Sequence, residues 1–213
     1  MSPAALVFDA YGTLFDVHSV VQRCDTLWAG KGAQLSQLWR AKQLEYTWQR
    51  TLMDRYRPFH VVTRDALEFA CQALGVELTP AAADALMEEY LRLRTYPEVP
   101  AALAALAGKK AILSNGSPDM LEPLVGQSGL SLDAVLSVDE LRVYKPSPRV
   151  YELAVTRLDV PRERIGFVSS NCWDALGAKS FGFTVYWVNR SGAPLDRLGF
   201  TPDRTIRSLA ELA

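Results

Sequence analysis

A chain of 213 residues, 49% hydrophobic and 22% charged, can bury a large core and fits one domain with a sizeable insertion. A net charge of −1 with no Lys/Arg block argues against a nucleic-acid partner, and no apolar stretch approaches a membrane span. Three scattered cysteines (Cys24, Cys71 and Cys172) and a first strand that leaves no room for a signal peptide point to a reduced, cytoplasmic protein.

The first element is an apolar run, Ala4-Ala5-Leu6-Val7-Phe8, that reads as a buried strand and delivers Asp9. Tyr11-Gly12-Thr13-Leu14-Phe15 then turns away. In open α/β sheets ligands bind at the carboxyl ends of strands, and a carboxylate placed there can act as a nucleophile. An ordinary strand-end Asp that caps the turn is the competing reading.

From about residue 16 to 95 only helical spacing is visible. Val17, Val20, Val21, Cys24 and Leu27-Trp28 form one stripe, and Leu35, Leu38 and Trp39 a second. Leu67, Ala70, Cys71 and Leu74 follow, then Leu86, Tyr90 and Leu93. Thr79-Pro80 reads as a cap with proline in the first turn. The segment Thr95-Tyr96-Pro97-Glu98-Val99-Pro100 reads as a join where two prolines break any helix.

Beyond it, apolar strands at Ala111–Leu113, Val135–Val138, Ile165–Val168 and Thr184–Val188 alternate with helices. That pattern implies a parallel sheet with both faces covered. The fold class is α/β: a Rossmann-like parallel sheet core of residues 1–15 and 97–213, with an inserted helical cap subdomain of residues 16–96 over the sheet's active edge.

Three further polar stations end strands or loops: Leu113-Ser114-Asn115-Gly116-Ser117-Pro118, Val143-Tyr144-Lys145-Pro146, and Phe167-Val168-Ser169-Ser170-Asn171-Cys172-Trp173-Asp174. Ser117-Pro118 and Ser147-Pro148 have the pattern of capped helix starts, which bind anions. A loop lysine such as Lys145 is usually solvated, and Asp174 alone could be one end of a structural salt bridge. Cys172 beside Trp173 reads as packed rather than reactive. His18 and His60 lack metal-ligand spacing, so a zinc site or histidine triad is not expected. No dinucleotide fingerprint or phosphate loop is present.

Taken in order, Asp9, Ser114-Asn115, Lys145 and Asp174 resemble the motifs of the haloacid dehalogenase superfamily over nearly the whole chain, and most closely the L-2-haloacid dehalogenases. The resemblance implies that Asp9 attacks the halogen-bearing carbon, expels halide and forms an ester that water then opens. It gives Thr13 the task of positioning Asp9. Ser114 is the expected partner of the substrate carboxylate, and Asn115 helps to hold the departing halide. Lys145 neutralises the nucleophile pocket, with Tyr151 behind it in support or in packing. Ser169, Asn171 and Asp174 organise the hydrolytic stage, Asp174 either holding Lys145 or polarising water. The stretch Trp39-Arg40-Ala41-Lys42-Gln43-Leu44-Glu45-Tyr46 resembles the family's cap, in which the arginine meets the leaving halide. Tyr11, Leu44, Phe59 and Trp173 match its apolar pocket wall.

Two departures separate the chain from the superfamily's phosphatases. Tyr11 stands where they carry a second Asp, the acid for a leaving oxygen, and halide needs no proton. Ser170 stands where they usually carry a magnesium-holding carboxylate. The expectation is therefore cofactor-free hydrolysis of short L-2-haloalkanoic acids to D-2-hydroxy acids, with a small 2-haloacid and halide as the only ligands and no nucleic-acid or membrane partner. Trp48, Tyr56 and their neighbours could pack a second subunit, since members of the family commonly form homodimers. A small-molecule phosphatase on the same core and a non-catalytic carboxylate-binding protein are the alternatives.

Overall fold

The computed structural model describes residues 3–212. Six strands form one sheet in the order β3-β2-β1-β4-β5-β6, and every neighbouring pair is parallel. The strands are β1 (Ala5–Phe8), β2 (Lys109–Ser114), β3 (Ala134–Ser137), β4 (Ile165–Ser169), β5 (Thr184–Val188) and β6 (Arg204–Ile206). All residues of β1 and β4 are buried, as expected for central parallel strands with helices on both faces.

From β1 the chain builds outward through β2 and β3, then returns to the other side of β1 with β4. The strand order therefore reverses at β1, and a crevice opens where connections leave in opposite directions. Phe8 is level with Val168 of β4, and the Asp9 N–H donates to the Val168 carbonyl at 2.9 Å. Asp9 is thereby set beside Ser169 at that crevice.

Five helices lie between β1 and β2, the first four being α1 (His18–Leu27), α2 (Gly32–Leu52), α3 (Phe59–Ala73) and α4 (Pro80–Glu89). Thr79 caps α4, accepting from the Ala82 N–H at 3.2 Å, with Pro80 opening the helix. The chain leaves and re-enters the sheet side by side. Asp16 N–H donates to Arg94, Tyr96 N–H donates to Leu14, and Phe15 bridges Thr95 antiparallel. The remaining helices, α5 (Val99–Ala105), α6 (Pro118–Ser128), α7 (Pro148–Leu158) and α8 (Cys172–Phe181), cover the sheet.

Several local expectations need correction. Pro100 does not break a helix but sits in the first turn of α5, where its missing N–H costs nothing. β3 ends at Ser137, and Val138 opens a short 3₁₀ turn whose start is held by the Ser137 hydroxyl. β6 carried no signal, because a three-residue edge strand beginning Arg204-Thr205 places only Ile206 in the core. Ser117 and Ser147 occupy N-cap positions ahead of prolines, yet neither hydroxyl makes the capping bond. Among the described residues no helix is long and apolar enough to cross a membrane.

Candidate active site

The turn after β1 folds tightly back on itself. Thr13, Leu14 and Phe15 all donate backbone N–H groups to the Ala10 carbonyl, and Gly12 adopts a φ of +85° that favours glycine. This curl returns the Thr13 hydroxyl to Asp9 Oδ2 at 3.0 Å. Ser170 N–H in turn donates to Thr13 Oγ1 at 2.8 Å, tying the turn to the end of β4. Asn171 Nδ2 supplies a second donor to Asp9 Oδ2 at 2.9 Å.

The other oxygen, Asp9 Oδ1, faces the Lys145 ammonium at 3.2 Å. Lys145 is buried rather than solvated, and the same ammonium lies 2.9 Å from Asp174 Oδ2. Asp174 is fully buried and fully engaged, accepting from Ser169 Oγ at 3.0 Å and from the Tyr151 hydroxyl at 2.9 Å. Burial alone would pull the Lys145 ammonium below its ordinary value, but Asp174 and Asp9 reverse that and hold it above. For Asp174 burial pushes the carboxyl upward, and Lys145 only partly offsets this. Tyr151 stays a neutral phenol, raised by burial and by Asp174.

The end of β2 supplies the neutral polar groups. Ser114 Oγ accepts from the Gly116 N–H at 3.0 Å, which leaves its hydroxyl proton to donate. Asn115 Oδ1 accepts from the Lys145 N–H at 3.0 Å, which leaves its Nδ2 end as a donor. Gly116 permits close approach: a Cβ there would stand 3.0 Å from both the Tyr11 ring and Leu121.

Arg40, half-buried on α2, donates from Nη2 to Asn171 Oδ1 at 3.4 Å and from Nη1 to Gln43 Oε1 at 2.6 Å. Tyr11 packs 6.0 Å from the Phe59 ring and 5.9 Å from Tyr90, which in turn meets Trp39 edge-on. Burial and Tyr90 raise the Tyr11 phenol, so this wall is uncharged. Trp173 stands against Trp48 at 5.5 Å rather than against Tyr11. Arg40, Leu44 and Trp48 follow one another at i, i+4 spacing, so Leu44 lies on α2 between the Asn171 and Trp173 contacts.

A groove of about 810 Å³ is lined by Trp48, Leu52, Lys145, Pro146, Trp173 and Leu198, and neither Asp9 nor Arg40 lines it. Trp48 and Tyr56 are half-buried and make contacts within the chain, Trp48 against Trp173. Tyr56 donates to Asp139 at 2.7 Å and packs on Tyr144. Cys24 and Cys71 are pushed up by burial to about 12 and about 11, so both thiols stay protonated, and Cys172 accepts from the Asp196 N–H.

Sequence reasoning missed three groups. Gln43 and Thr63 are buried behind Arg40, and polar residues inside an amphipathic helix read as a solvated face. Arg190 donates to the Gly12 and Thr13 carbonyls at 3.0 and 3.1 Å, pairs with Glu98 at 2.8 Å and stacks on Tyr96. Those backbone partners left no motif around Arg190. The two residues that depart from the phosphatase pattern are also accounted for physically. Tyr11 is part of the apolar wall, and the Ser170 hydroxyl lies 3.2 Å from Thr13 Oγ1.

Residues 3–182 match the family model of haloacid dehalogenase-like hydrolases. The chain is 51% identical over 209 residues to the (S)-2-haloacid dehalogenase of Pseudomonas sp. (strain YL), covering 96% of this chain and 90% of the relative. A crystal structure of an L-2-haloacid dehalogenase superposes with a TM-score of 0.97 at 46% identity, covering 100% of this chain and 97% of that one. The L-2-haloacid dehalogenase from Xanthobacter autotrophicus with chloropropionic acid covalently bound superposes with a TM-score of 0.92 at 42% identity, covering 100% and 97%.

Proposed function

The chain belongs to the haloacid dehalogenase-like hydrolases, and on that premise we propose that it hydrolyses short L-2-haloalkanoic acids to D-2-hydroxy acids and halide, with Asp9 as the nucleophile. A carboxylate oxygen of Asp9 attacks C2 from the side opposite the halogen. The C–X bond breaks with its electron pair, and C2 is inverted as an ester forms. Water then adds to the Asp9 ester carbonyl. The Asp9–O bond breaks, so the C2–O bond and its configuration survive. One proton of the water goes to the departing C2 oxygen, the other is released to solvent, and Asp9 is regenerated as the carboxylate.

Each neighbour has a task in this scheme. Thr13 and Asn171 hold Asp9 Oδ2 and so aim the carboxylate. Lys145 balances its charge before attack and after release. Asp174, with every oxygen engaged, acts by holding Lys145, while Ser169 and Tyr151 hold Asp174. Ser114 and the Nδ2 of Asn115 offer donors to the substrate carboxylate and the halide. Arg40 meets the leaving halide, where a poorly screened guanidinium stabilises negative charge best. Tyr11, Leu44, Phe59 and Trp173 form the apolar wall. Residues 16–96 act as a cap over a core of residues 1–15 and 97–213.

The observation that carries this reading is the Lys145 ammonium, which bridges Asp9 and Asp174 at 3.2 and 2.9 Å. It balances the charge of both carboxylates, so that Asp9 is kept as an ionised nucleophile inside the protein. The test is halide release from separate L- and D-2-chloropropionate with a chelator present. Release from the L enantiomer alone, with D-lactate as product, supports the reading. Phosphate-ester hydrolysis that requires magnesium would replace it. The protein is further proposed to work in the cytoplasm as a homodimer. Leu52 and Met53, 87% and 58% exposed at the end of α2, support a covered surface there, which light scattering checks.

A further inference from the structure

We propose that Gln43, anchored by Thr63, is the positioning residue that aims Arg40 at the leaving halide; the inference rests on the dehalogenase reading of Arg40. A glutamine with no exposed surface in the middle of a helix is costly unless both ends of its amide are satisfied. Both are. Gln43 Oε1 accepts from Arg40 Nη1 at 2.6 Å, and Nε2 donates to Thr63 Oγ1 at 2.7 Å. The Thr63 hydroxyl donates to the Phe59 carbonyl at 2.7 Å.

The direction of this relay is set by chemistry. Arginine has donors only, so it needs the oxygen end of the amide. The one hydroxyl proton of Thr63 is committed to Phe59, so it accepts and needs the nitrogen end. Gln43 can therefore sit only one way round, and the chain Arg40–Gln43–Thr63–Phe59 runs from the guanidinium into the backbone of α3. It ends at Phe59, a member of the pocket wall.

Arg40 is thus held firmly at Nη1, whereas its Nη2 contact with Asn171 is long, at 3.4 Å. The loosely held Nη2 is the donor left for an anion. Without Gln43 the guanidinium keeps its charge but loses its aim, and a misplacement of about 1 Å can cost roughly a hundredfold in rate.

The test compares Q43L, T63V and T63S with the parent enzyme. It reads kcat and KM on L-2-chloropropionate and L-2-bromopropionate, together with the affinity for bromide alone. Q43L is expected to lower kcat by about ten- to a hundredfold. The loss should be larger for chloride, the poorer leaving group, and bromide binding should weaken. T63V should move both readouts the same way by less, and T63S, which keeps the hydroxyl, should recover most of the loss. An unchanged chloride-to-bromide ratio with unchanged bromide affinity in both Q43L and T63V would overturn the proposal. T63V keeps the test decisive should Q43L not fold. A parent enzyme that binds bromide but releases no halide would sink the dehalogenase reading, and the bromide affinities would still judge Gln43.

Discussion

Arg40 and Asn171 meet across 131 positions of chain, the guanidinium Nη2 lying 3.4 Å from the Asn171 side-chain oxygen. The other end of the same amide donates to Asp9 at 2.9 Å. One side chain therefore links the cation on α2 to the carboxylate at the end of β1. Attack at one side of a carbon and departure from the other need partners in such a fixed relation.

R40A is expected to lose most halide release, by about a hundred- to a thousandfold, as for the loss of one positioned donor to developing charge. R40K should recover little, because a single ammonium cannot reproduce the planar fork that reaches Gln43 and Asn171 together. Steady-state kinetics of halide release on both variants check this.

Lys145 gives a pH dependence with a definite sign. Burial would lower it, but Asp174 and Asp9 hold it above the ordinary lysine value of about 10.4. A raised cation contributes stability that is fully present below that ordinary value and is lost as pH rises through the folded one. Denaturant midpoints of the parent protein should decline at alkaline pH, where the buried thiols of Cys24 and Cys71 and the buried phenols of Tyr11 and Tyr151 also favour the ionised unfolded chain. K145M should lose only the lysine's share of that decline, read as a shallower slope above about pH 10. It should also be less stable at neutral pH, by about 3–5 kcal/mol, with Asp9 and Asp174 left buried without their cation.

Y151F removes the donor to Asp174 Oδ1 and leaves a fully buried carboxylate oxygen unsatisfied. A destabilisation of about 1–3 kcal/mol is expected, read as a lower denaturant midpoint at unchanged slope.

Gly12 holds the curl that returns Thr13 to Asp9. G12A places a Cβ at φ +85° and 3.2 Å from the Ser170 hydroxyl. The left-handed backbone alone costs about 1–2 kcal/mol, and displacement of Thr13 should lower kcat by about tenfold or more. Thermal melting and halide-release kinetics measured together separate the two effects.

Asp9 and Ser114 were visible in the chain because each ends an apolar strand, and the fold gathers those ends at one edge, whereas Lys145 and Asp174 gained their roles from the order of the motifs. Arg40 stood out only through resemblance, since a lone arginine on a polar helix face has no local signature. Gln43 and Thr63 escaped because their value lies in burial and in each other, 20 positions apart. Arg190 escaped because it grips backbone carbonyls, which any residue could supply. β6 had too few side chains in the core to register. A loop lysine reads as solvated until α7, β4 and α8 are seen to close around it.

The most direct test of Asp9 as nucleophile is a single turnover in ¹⁸O-water with enzyme in excess over L-2-chloropropionate. Attack of water on an Asp9 ester predicts that the label enters the peptide containing Asp9 and that the first D-lactate formed is unlabelled. Labelled D-lactate with an unlabelled Asp9 peptide would contradict it, because water would then have attacked C2 directly.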